Sequence, residues 1–69
     1  MRVEYDIPRS EKHDDFEWRQ RVLGTHIAWT SVGLSPIITV WVENLSEEEA
    51  ILIRLKYLNV TVDKDLQYK

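Results

Sequence analysis

The first residues of the chain alternate. Val3, Tyr5 and Ile7 fall on one side of an extended segment and Arg2, Glu4 and Asp6 on the other, the period-two pattern of a strand over residues 2–7 with one wet face. Pro8 lacks the N–H that a ladder needs and ends the pairing. Residues 9–15 hold no apolar side chain and read either as an exposed loop or as the polar first turn of a helix capped by Ser10. Residues 16–23 fit two periods. As a strand, Phe16, Trp18 and Val22 oppose Glu17, Arg19 and Arg21; as a helix, Phe16 aligns with Leu23, Trp18 with Val22, and Glu17 precedes Arg21 in the favourable charge order. Gly24 suits a helix end or a hairpin turn equally. The helix over 10–23 is preferred because it completes a familiar succession of elements.

Residues 25–32 and 37–43 are rich in Ile, Val, Thr and Trp and are separated by Gly33-Leu34-Ser35-Pro36, which predicts two strands paired as a hairpin. In the first, Ile27 and Trp29 share a face, expected to be core, opposite His26, Ala28 and Thr30. The second is apolar on both faces, with Ile38, Val40 and Val42 on one and Ile37 and Trp41 on the other, as expected of a central strand or one covered by a partner. Val60-Thr61-Val62-Asp63 reads as a last strand before the polar tail 64–69.

Between them lies the best-marked element. Ser46 followed by Glu49 is a capping box, and Glu47, Glu48 and Glu49 stand where a helix dipole favours negative charge. At 100° per residue, Leu58, Ile51, Leu55 and Leu52 fall within an arc of about 120°, and Ile53, Tyr57 and Ala50 within a second arc of about 60°. The wider stripe is enough to cover a sheet. The second is then surplus, either packed on the N-terminal segment or free to meet a partner.

The succession strand, helix, strand, strand, helix, strand predicts an α+β domain of ferredoxin-like βαββαβ order, a small antiparallel sheet with helices on one face. The alternative is a β-meander with one helix and a final strand. Both leave one sheet face without helical cover.

Composition narrows what such a domain can do. At 69 residues without cysteine, one domain buries little surface and has no disulfide or thiolate-bound zinc to stabilise it, so oligomerisation is the expected support. Two histidines, His13 and His26, leave little basis for a metal site, and no cofactor is implied. Nine basic against twelve acidic residues give −3 with no basic face, which argues against nucleic acid, since phosphate neutralisation supplies most of that affinity. No apolar run approaches the roughly 20 residues of a spanning helix, and the first residues lack the order of a signal peptide, so a cytoplasmic, non-membrane protein is expected. His13-Asp14-Asp15 could serve metal or acid–base chemistry, but adjacent side chains splay apart and a solvated charge run explains them. No nucleophile motif or phosphate-cradling loop is present, so no enzyme is expected.

The function expected on these grounds is a protein-binding module, an inhibitor, adaptor or regulatory subunit, that forms a homodimer through an aromatic and aliphatic patch drawn from Ile37, Trp41, Ala50, Ile53 and Tyr57. The alternative is a small-molecule or nucleotide sensor whose anionic ligand would meet Arg19, Arg21 and His26.

Overall fold

A computed structural model describes residues 1–24, 26–57 and 59–63. These form β1 (Arg2–Pro8), a 3₁₀ turn (Arg9–Glu11), α1 (Lys12–Val22), β2 (Ala28–Thr30), β3 (Ile37–Val42), α2 (Glu47–Lys56) and β4 (Val60–Asp63). The strands make one open sheet in the order β2-β3-β1-β4, every neighbouring pair antiparallel. The α+β class and the βαββαβ succession expected from the sequence are therefore those of the protein. The meander alternative is not: residues 12–22 are helical, and Gly24, at φ +85°, donates its N–H to the Arg19 carbonyl as a left-handed cap. Thr25, Leu58 and the tail 64–69, which the sequence assigns to a strand, a helix stripe and a polar end, lie outside the described residues.

Alternation places the β1 and β3 side chains as expected. Val3, Tyr5 and Ile7 pair across the register with Val42, Val40 and Ile38, and all six are buried beneath the helices. β2 covers only Ala28–Thr30, less than its sequence pattern, and the turn to β3 passes through Gly33 at φ +126°. Ser31 extends the pairing by one residue, donating its N–H to the Thr39 carbonyl while its Oγ accepts the Thr39 N–H.

The capping box is formed as read: Ser46 Oγ accepts from Glu49 N–H at 3.1 Å and Glu49 Oε1 accepts from Ser46 N–H at 2.8 Å. Leu45 before the cap and Ala50 in the first turn are both buried in the core, the arrangement of a hydrophobic staple. Asn44 supplies the positive φ of 63° that turns β3 into this helix, a conformation its short polar side chain tolerates.

The phase of α2 is opposite to the expected one. Ala50 and Ile53 are 3% and 0% exposed and Tyr57 is half-buried, so the stripe taken as surplus is the one that covers the sheet. Ile51, Leu52 and Leu55, the last 78% exposed, face outward. Ala50, Ile53 and Tyr57 therefore belong to the interior and offer no patch to a partner. The cause lies in Tyr57, whose ring stacks on Tyr5 with centroids 4.5 Å apart and whose hydroxyl finds an acceptor inside the protein. Trp29 on β2 and Ile27 just before it, expected in the core, are instead more than half exposed, on the side of the sheet away from the helices.

The two stripes of α2 make different demands on stability. Ile53→Ala is expected to lower unfolding free energy by about 2–5 kcal/mol, as for other fully buried aliphatics. Leu55→Ala should change it by no more than about 0.5 kcal/mol. Urea denaturation followed by circular dichroism distinguishes them, and the reverse order would restore the opposite helix phase.

Candidate functional site

The bare face of the sheet takes its side chains from the residues that alternate outward. Across one row the register sets Trp29 opposite Trp41, Trp41 opposite Glu4, and Glu4 opposite Thr61. One row on, Thr39 stands opposite Asp6, and beyond it Ile37 opposite Pro8. Trp29, Ile27 and Ile37 are each about half exposed, at 51, 56 and 49%. The carboxylates of β1 are held by β3: Trp41 Nε1 donates to Glu4 at 3.0 Å and Thr39 Oγ1 to Asp6 at 2.6 Å. The face is thus divided into an aromatic and aliphatic half on β2 and β3 and an acidic half on β1, with its polar atoms already oriented.

A different constellation lies on the covered face. Asp15, 2% exposed, accepts from the Tyr5 hydroxyl at 2.8 Å and the Tyr57 hydroxyl at 2.6 Å on one oxygen, and from Arg19 Nε at 2.9 Å on the other. Trp18 meets Tyr57 edge-on at 6.2 Å, and Lys56 Nζ sits 5.2 Å from the Trp18 ring and 5.5 Å from that of Tyr57. A buried carboxylate is costly unless paired and hydrogen-bonded, and here both conditions hold. Burial, reinforced by the charge of Asp15 and its hydrogen bond, pushes the Tyr5 hydroxyl far above the ordinary tyrosine value; burial and the Asp15 bond raise Tyr57 likewise. Neither hydroxyl can act as a base near neutrality, so the cluster is a structural lock. Sequence reading dismissed Asp15 as part of a solvated run. The available signal was its spacing of four from Arg19, a helical ion pair.

Of the residues expected to contact a partner, Ile37 and Trp41 lie on the bare face, whereas Ala50, Ile53 and Tyr57 do not. Arg19, Arg21 and His26 are not gathered into one ligand site. Arg19 is tied to Asp15, Arg21 points about 200° away from it around α1, and His26 Nε2 lies 2.9 Å from Glu49 Oε2. His13 stands 3.3 Å from Glu17 on the exposed side of α1. Among the described residues no group of three or more His, Asp or Glu could hold a metal ion, and no helix is long and apolar enough to cross a membrane.

No protein-family model, curated protein or solved structure matches this chain. The geometry is what bears on its function. Besides the sheet face it shows a loop, residues 31–36, whose Val32 and Leu34 are 97 and 99% exposed and whose backbone is anchored by Arg9: Nε donates to the Ser35 carbonyl at 2.8 Å, Nη2 to that of Gly33, and Arg9 N–H to that of Pro36 at 2.7 Å.

The lock sets an alkaline limit and the cap of α2 an acid one. Because both tyrosines hold their protons more tightly folded than unfolded, their contribution is complete below the free tyrosine value of about 10 and is lost as pH rises above it. Glu49 is held below the usual carboxylate range, first by the Ser46 N–H and then by His26, so its contribution is complete above about 4.3 and is lost as pH falls below that value. Tyrosinate absorbance for Tyr5 and Tyr57 should therefore rise only together with loss of the circular dichroism signal, not ahead of it. Tyr57→Phe, which keeps the ring stack and removes the hydroxyl, is expected to cost about 1–3 kcal/mol by urea denaturation.

Proposed function

We propose that this chain is a small non-enzymatic protein-binding module that pairs with a second copy of itself through the bare face of its sheet, and acts as an inhibitor, adaptor or regulatory subunit by occluding what it binds. The observation that carries this reading is the row Trp29–Trp41, two large aromatic residues in cross-strand register on a face that no helix covers. An antiparallel sheet tolerates an uncovered face when that face is polar. Here half of it is not. Tryptophan combines a wide apolar surface with a polar rim and few rotatable bonds, which suits it to the centre of a protein contact.

Self-pairing adds the support that a 69-residue chain without disulfides otherwise lacks. Two such sheets would stack about 10 Å apart, each presenting the same patch to the other in a closed two-fold arrangement.

Sedimentation velocity tests the pairing. Wild-type protein is expected to sediment at about twice its 8.2 kDa mass at micromolar concentration, and Trp29→Glu, which alters a half-exposed side chain, at the monomer mass with its circular dichroism unchanged. A wild-type chain that stays monomeric throughout that range would remove the reading.

A further inference from the structure

A groove of about 390 Å³ opens where the 3₁₀ turn runs into α1, lined by Arg9, Ser10, Lys12, His13, Phe16 and Arg19. No carboxylate lines it, although the chain as a whole carries −3, and three of its nine Lys and Arg residues do. We propose that this groove binds a small molecule that carries a phosphate group and an apolar ring.

Arg19 is the central observation. It is 8% exposed, and among the described residues only its Nε–H is bonded, to Asp15. Its two terminal nitrogens bond no described residue and, as no buried side-chain nitrogen or oxygen among the described residues is without a partner, they are open to solvent on a residue that lines the groove. A side chain that is nine-tenths buried, held through Nε and left with its terminal donors open, is prepared for an oxyanion, because the ordering cost has already been met in folding. Arg9 is likewise held by its bonds to the Ser35 and Gly33 carbonyls, which fix its charge at the groove wall. Lys12, exposed and in no ion pair with a described residue, supplies a mobile third charge, and Ser10 a hydroxyl donor. His13 is engaged with Glu17 and stays at the rim.

Phe16 supplies the other half of the specificity. Its ring is half exposed and forms the apolar wall of the same groove, with the Arg19 guanidinium carbon 5.8 Å from its centroid. An inorganic anion would leave this ring wet, whereas a ligand with an aromatic or apolar portion would cover it. The volume is within the range usual for small-molecule sites, about 300–1,000 Å³. Since none of these residues lies on the sheet strands, the site can be present whether or not the chain pairs through its sheet.

Titration of the isotope-labelled protein with AMP, pyrophosphate and adenosine, followed by amide chemical shifts, tests the proposal. AMP is expected to give saturable shifts concentrated in residues 9–19, to bind more tightly than pyrophosphate, and to bind far more tightly than adenosine. Lys12→Glu, a surface change that spares the Asp15 lock, should weaken both AMP and pyrophosphate by about tenfold or more. Phe16→Ala should weaken AMP and leave pyrophosphate unchanged. Shifts that do not saturate or that scatter over the surface would overturn the proposal. So would adenosine binding as tightly as AMP, or an AMP affinity indifferent to Lys12→Glu.

Discussion

One buried carboxylate sets the relation between the three main pieces of this protein. Asp15 lies on α1, its donor Tyr5 on β1, and its donor Tyr57 at the end of α2, while Arg19 on its own helix neutralises it. Leaving any of those donors unmet in the interior would cost several times what an ordinary hydrogen bond contributes. The helices are therefore not free to choose their rotation by apolar area alone. α1 turns Asp15 and Arg19 inward and leaves Phe16 and Val22 half exposed, and α2 turns in the narrow stripe that ends at Tyr57.

That constraint also explains what could and could not be read from the residues. Local signals were legible: the alternation of residues 2–7, the turn around Gly33 and Pro36, and the Ser46–Glu49 box form where the pattern places them, whereas β1 runs one residue further than read, with Pro8 opposite Ile37. The rotation of α2 was not legible, because counting apolar residues favours the wider stripe of Ile51, Leu52 and Leu55. What decides against that stripe is a hydroxyl on Tyr57 whose acceptor is 42 residues away in sequence. α1 was hard for the same reason. Its inward face is an ion pair, and hydrophobic periodicity scores an inward ion pair as outward. Strand alternation was enough to place Ile37 and Trp41 on the bare sheet face; Trp29 and Ile27 were misplaced because aromatic and aliphatic character was equated with core.

The cost of this arrangement appears at the surface. With the interior claimed by a polar lock and a small aliphatic set, apolar side chains remain outside on the sheet face, on the outer side of α2 and at the tip of the 31–36 loop. A larger domain would enclose them. Within 69 residues there is too little second-layer structure to do so, and the remaining apolar surface is what makes association the natural reading of this chain.

The position of β1 has a consequence for how the chain reaches this state. It is earliest in sequence among the described strands yet central in the sheet, and both its neighbours, β3 and β4, come from the second half of the chain. Its ladder cannot close on local partners, so an early β1–α1 segment has a ready apolar face and nothing to lay against it. Loop closure over tens of residues must precede the gain in contacts, which slows folding relative to a helical bundle of the same size. The same interleaving removes any half that could stand alone: each strand–helix–strand unit is divided by a strand of the other, and the molecule gains or loses its order as one cooperative body.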